Sequence, residues 1–256
     1  AIVQQRRQRG DAISLPTAIT VAGTNGKGSC LASMQAVALA HGYRVGLFTS
    51  PHFLHYNERI AIQGLPAQDR VIVDAFDEIE AARGEISLTY FEFGTLAALV
   101  VFLDAGLDLV LLEVGLGGRL DAINIIDADV AVVTSIALDH QDWLGDTREA
   151  IAGEKIGIAR VNRPLIIGEQ DYPQGFEQMV LDTGADALYV GRDFSYTDEP
   201  SFSAELSSNA GPLEIDRLPS TGLLPVNKTL ALQALLSAGL ALNPDDSRTA
   251  LESVRL

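Results

Sequence analysis

The sequence predicts an α/β fold: a doubly wound, mainly parallel sheet carrying a P-loop, with a small antiparallel β patch near the C-terminal part, at about residues 187–224. Three observations predict it. Four or more short apolar runs rich in Val, Ile and Leu alternate with helical patterns. Residues 20–29 read T-V-A-G-T-N-G-K-G-S, a glycine-rich turn between an apolar run and a helical pattern. Beyond Asp171 the character changes to short alternating stretches separated by turns.

In chain order, residues 1–17 are polar and begin without methionine, so a trimmed or partly disordered start is expected. Residues 18–22 form the first strand, and the helix from Cys30 ends near His41 with Gly42 as its cap. Residues 45–49 form the second strand, parallel to the first in a βαβ unit. Residues 71–83 read as an amphipathic helix with Asp74, Asp77, Glu78 and Glu80 facing water. An aromatic stretch, 88–94, precedes an apolar helix running to Leu103; its rings either stack on a flat ligand or plug the core. Residues 109–114 are a buried-looking strand with one acid, Glu113, which is costly there unless a cation or donor meets it. Residues 130–136 form the next strand, leading to Asp139 and His140. Helix 147–160, strand 164–168 and helix 230–242 follow, and the final helical pattern, 249–256, ends uncapped, as in a chain cut short.

With 256 residues, 47% of them hydrophobic, the chain suffices for one large domain or one domain plus a small appendage. The net charge is −16, and no basic block appears beyond Arg6, Arg7 and Arg9. Nucleic acid is therefore not an expected partner, and a nucleotide site must build its positive potential locally. The single cysteine, Cys30, excludes an internal disulfide and sits where a small core residue is expected. No run reaches the ~18 apolar residues of a membrane span, and no secretory signal pattern is visible. A cytoplasmic monomer away from membranes is the expectation.

Gly23, Gly26 and Gly28 let the backbone approach a ligand and aim successive N–H groups at it. Lys27 adds a full charge, Ser29 a hydroxyl for a magnesium ion, and the following helix its positive end. The spacing departs from G-x-x-x-x-G-K-[ST]: Gly28 separates lysine from hydroxyl, and Gly23 stands three residues before Gly26. Lys27, Ser29, Ser50, Glu113 and His140 all fall at carboxyl ends of the expected strands, where ligands of such sheets gather. Ser50 by itself reads equally as a turn hydroxyl before Pro51, and Lys155 by itself as a helix-surface partner of a nearby acid.

Six blocks in order resemble the folylpolyglutamate synthase and dihydrofolate synthase family of the Mur ligase superfamily. They are G-T-N-G-K-G-S at 23–29, T-S-P-H with N-E-R at 49–59, L-T-Y-F-E-F-G at 88–94, L-E-V-G-L-G-G-R-L-D-A at 112–122, S-I-A-L-D-H at 135–140 and G-E-K-I-G-I at 153–158. The likeness covers about residues 18–168. It implies that Gly23, Thr24, Asn25, Gly26, Lys27, Gly28 and Ser29 hold ATP, with Asn227 near the adenine. It implies that Ser29, Ser50, Glu113 and His140 hold Mg²⁺, and that Thr89, Tyr90, Phe91, Glu92, Leu120, Asp121 and Ala122 line a pterin or folate pocket with Phe91 stacking. Lys27, Lys155 and His140 become the catalytic set, Lys155 as a carbamate.

The implied reaction is ATP-dependent addition of L-glutamate to dihydropteroate, to (tetrahydro)folate, or to both, through an acyl phosphate. The resemblance also implies that residues 1–256 are the ATP-binding part, with a glutamate-binding C-terminal domain outside this chain. Alternatives are another Mur-type amino-acid ligase, against which residues 90–93 and 120–122 weigh, and a non-catalytic nucleotide-binding module. An ordinary P-loop kinase or GTPase is disfavoured by the displaced Ser29.

Overall fold

The computed structural model describes residues 16–198 and 201–254; the expectation for the start of the chain lies almost wholly outside them. The main sheet has eight strands: β1 (Thr17–Ala22), β2 (Val45–Phe48), β3 (Ile60–Ile62), β4 (Leu65–Pro66), β5 (Leu109–Glu113), β6 (Val130–Val133), β7 (Pro164–Ile167) and β8 (Asp186–Tyr189). Their spatial order is β4-β3-β2-β5-β1-β6-β7-β8. Six of them run parallel, and the hairpin β3–β4 adds an antiparallel edge. Strands β1 and β2 are parallel as expected, with β5 inserted between them.

The central strands are apolar on both faces because both are covered. Ile19, Val21, Leu109, Leu111, Val130 and Val132 face one side, against helix α1 (Lys27–Ala40) and helix α7 (Pro225–Ser237). Ala18, Val110 and Leu112 face the other, against helices α2 (Asp69–Arg83) and α3 (Tyr90–Asp104). Ala131, Val133, Leu165 and Ile167 share that second side with helices α5 (Arg148–Ile156) and α6 (Phe176–Asp182). A short helix α4 (Gln141–Leu144) follows β6.

Four sequence expectations are corrected. Among the described residues the antiparallel sheet comprises β9 (Ser195–Thr197), β10 (Phe202–Leu206) and β11 (Leu213–Leu218), in the order β11-β10-β9. Strand β8 instead closes the main sheet; as a half-exposed edge it shows the alternation of an antiparallel strand. The aromatics at 90–93 lie inside the first turn of α3 and not ahead of it, because Thr89 caps that helix in a capping box with Glu92. Helix α7 starts at Pro225, whose fixed φ suits a first helical turn, so Asn227 belongs to that turn. The last helix, α8 (Pro244–Ser253), starts five residues earlier than expected and ends at Ser253, its N-terminus capped by the Asn243 side chain on the N–H groups of Asp245 and Asp246.

Candidate active site

The glycine-rich turn joins β1 to α1 at the centre of the sheet. Gly26 caps α1 with φ +88°, and a Cβ there would lie 2.6 Å from Asn227 Oδ1, so only glycine fits. The first turn of α7 therefore presses Asn227 onto the loop. Gly28 has open space around it. Lys27 folds back and donates its Nζ to the Gly23 carbonyl (3.0 Å), which keeps its charge over the loop.

The loop after β6 clamps the turn from the other side. The Thr24 hydroxyl accepts from Ala137 N–H (3.1 Å) and donates to Ala137 O (3.2 Å). Asn25 N–H donates to Ser135 Oγ (2.9 Å), and Thr134 Oγ1 donates to Asn25 O (2.6 Å). Thr24 and Asn25, expected at the phosphates, thus brace the cradle through these groups. Ile136 in the same loop is gripped at both ends: its N–H by Glu169 (2.7 Å) and its carbonyl by Arg148 (3.1 Å).

Lys27, Gly23, Gly115, Asp139, His140 and Lys155 line one cleft beside the loop. Glu113, at the end of β5, is 6% exposed and accepts the Ser50 N–H (3.1 Å). Burial raises its pKa, against the opposing pull of that N–H and of the Lys27 charge. His140 takes a left-handed backbone (φ 47°) at the start of α4, and its side chain is 58% exposed. Asp139 caps the His140 N–H (2.9 Å).

Lys155 is not on the helix surface. It is 3% exposed, and its neighbour Glu154 pairs with Arg119 instead (2.7 Å). Burial first, and the Lys27 charge second, lower the Lys155 pKa to about 8, against a raising pull from Asp139. Asp139 stands opposite Lys155 only through the folding of the loop after β6.

Among the described residues no three of His, Cys, Asp and Glu group closely enough to hold a metal by themselves. The donors present are one buried carboxylate, an exposed imidazole and the Ser50 segment that Glu113 holds. Such a set suits a hard cation when phosphate oxygens or a carbamate complete it. Ser29 stands in the first turn of α1 and is not among the cleft-lining residues.

The expected ring-binding residues divide between two cavities beside the start of α3. Glu92, Asp121 and Ala122 line one of about 220 Å³. Thr89 and Tyr90 line another of about 380 Å³ with Tyr56, Phe76 and Phe93. Phe91 is half-buried, tilted against Phe48 (6.0 Å between centroids) and packed on Gly115. Leu120 points to solvent. Asp121 is largely a loop clamp: it accepts the N–H groups of Gly115 (3.0 Å), Leu116 (2.9 Å) and Ile123 (2.9 Å).

A parallel α/β sheet with a glycine-rich loop at its central strand, a lysine folded over that loop and a second, buried lysine across the cleft defines an α/β phosphate-loop domain. No family model matches the chain. The chain is 47% identical over 242 residues to the dihydrofolate synthase/folylpolyglutamate synthase of Escherichia coli, covering 94% of this chain and 56% of that protein. To its Haemophilus influenzae counterpart it is 56% identical over 160 residues, 62% of this chain and 36% of that one. The structure of E. coli FolC in complex with DHPP and ADP superposes with a TM-score of 0.88 at 45% identity, over 94% of this chain and 57% of that one. An FPGS–AMPPCP complex superposes at 0.81 with 30% identity, over 100% and 68%. The chain belongs to the dihydrofolate synthase/folylpolyglutamate synthase family. It spans about half the length of the curated relatives it matches.

Proposed function

We propose that this chain supplies the nucleotide and pterin sites of an ATP-dependent ligase that joins L-glutamate to dihydropteroate, to (tetrahydro)folate, or to both. The observation that carries the reading is the shared cleft, where Lys27, Lys155, Asp139 and His140 meet beside the glycine-rich loop. In support, solved relatives are described with ADP and DHPP, and with Mn, AMPPNP and L-glutamate.

In this reading the substrate carboxylate attacks the γ-phosphorus of ATP, the bond to the bridging oxygen breaks, ADP leaves, and the carboxylate becomes an acyl phosphate. The glutamate amine then attacks the acyl carbon, and phosphate leaves. Lys27 moves from the Gly23 carbonyl to the phosphates and neutralises their charge as it shifts. Glu113, His140, Ser50 and Ser29 hold a divalent cation, which screens phosphate charge when bound. Lys155, whose lowered pKa makes its neutral amine more accessible than that of an ordinary lysine, adds CO₂ through its nitrogen, releases a proton to solvent and becomes an anionic carbamate. Asn227 flanks the nucleotide from α7. No protein nucleophile is required.

No helix among the described residues is long and apolar enough to cross a membrane, and we place the enzyme in the cytoplasm. We expect residues 1–256 by themselves to bind nucleotide without completing glutamate addition, whose amino-acid site we place in a further domain. The test is ADP release by the protein expressed from its complete coding sequence, with dihydropteroate or tetrahydrofolate plus glutamate. ADP release that requires both co-substrates is expected; release without either, or none at all, sinks the proposal.

A further inference from the structure

We infer that Arg148 and Glu169 are positioning residues of the reaction: together they fix the loop 134–140 so that Asp139 and His140 line one cleft with Lys27 and Lys155. The inference rests on the ligase reading of that cleft, and it concerns two residues that do not line it.

The loop leaves β6 and holds its course without regular structure, so its backbone partners show what fixes it. Ser135 and Ala137 bond to the glycine-rich turn itself, through Thr24 and Asn25. A loop tied only to that turn would shift with it when phosphates enter. Ile136, between them, is tied to the frame outside. Glu169, two residues beyond β7, accepts its N–H (2.7 Å), and Arg148, the first residue of α5, donates Nε to its carbonyl (3.1 Å). Each bond has one charged partner and is of the stronger kind. The Ile136 side chain, 1% exposed, is packed in the core beside Ile151 of α5.

The two charged side chains are themselves held. Glu169 also accepts the Asp171 N–H (3.0 Å), and Arg148 donates to the Asp171 carbonyl and carboxylate. A cation in the first turn of a helix is unfavourable, because the positive end of the helix dipole lies there. Thr147 already caps α5 through the Ala150 N–H (3.2 Å). Helix formation thus gives no reason for an arginine at this position; its contacts do. Arg148 ties the helix that carries Lys155 to the loop that carries Asp139 and His140, and Glu169 ties that loop to the end of β7.

The test is steady-state ADP release by the protein expressed from its complete coding sequence, with ATP, dihydropteroate and glutamate. R148M, R148K and E169A are measured beside the parent, each well below its melting temperature. R148M keeps the bulk of the side chain without a donor, and R148K keeps one donor for the Ile136 carbonyl. R148M and E169A are expected to lower kcat about 10–100-fold. KM for glutamate, whose site we place in a further domain, should stay within about twofold of the parent. R148K should keep kcat within about fivefold of the parent. A purely structural role would lower the melting temperature of the variants and leave kcat per folded molecule unchanged. Parental kcat in R148M and E169A therefore overturns the inference, and so does R148K falling as far as R148M. A parent that releases no ADP with both co-substrates present removes the ligase reading instead, and the inference with it.

Discussion

Lys155 keeps an ammonium group behind Lys27 at 3% exposure, and its pKa falls from 10.5 to about 8. A lowered lysine pKa means that the folded protein holds the proton less well than the unfolded chain. The penalty is complete below about pH 8 and fades as pH rises toward 10.5. Lys155→Met should therefore stabilise the protein at pH 7 by roughly 3 kcal/mol in bicarbonate-free buffer, with the gain shrinking through that alkaline window. Urea unfolding at pH 7 and pH 10 checks it; an equal difference at both pH values would show that the lysine does not carry the burden. This residue also marks a limit of sequence reading. Glu154 beside it suggests a surface ion pair, but Arg119, 35 positions away, claims that acid. Only the packing of α5 under the 115–119 loop decides which side chain is buried.

The start of helix α3 shows how one element serves two ends. Thr89 and Glu92 satisfy each other's backbone N–H groups, so the helix that carries the aromatics begins at a fixed point. Thr89→Ala should cost about 1 kcal/mol of stability, the usual worth of such a cap. Thermal melting without ligand measures it; an unchanged midpoint would mean that Thr89 matters only to ligand. The T-x-x-E pattern was visible in the sequence, but the aromatic run drew the residues into a loop reading. The same bias put the start of α7 five residues late and left Asn227 outside it, although Pro225 is a standard first-turn residue. Local propensity was legible in both cases, and its boundary was obscured by a competing pattern.

The main sheet and the small sheet β9–β11 behave as one body because their apolar faces meet in one core. Phe202, Leu206 and Ile215 share a cluster with Ile19, Leu111, Leu31 and Leu230. Lys228, fully buried, reinforces the join by donating to the Pro219 and Thr221 carbonyls just beyond β11. Phe202→Ala should cost about 3–5 kcal/mol and lower a single unfolding transition that includes the nucleotide loop. Two separated transitions, with only the C-terminal part affected, would refute a common core. The fold class, the parallel order of the central strands and the loop position followed from hydrophobic runs and glycine spacing. The β3–β4 edge did not: its strands have three and two residues, too short for a periodic signal.

By itself the sequence determined what local chemistry can specify: alternating strands and helices, a glycine-rich cradle, a lysine in it, and an acid at the end of an apolar strand. Tertiary structure alone decided which of those groups face one another. It engaged Thr24, Asn25 and Asp121 in bracing contacts between and within the loops, and it buried Lys155. The reason is physical: a side chain's partner is chosen by proximity in the folded core and by the cost of leaving a buried polar group unmet, and neither is fixed by neighbours along the chain.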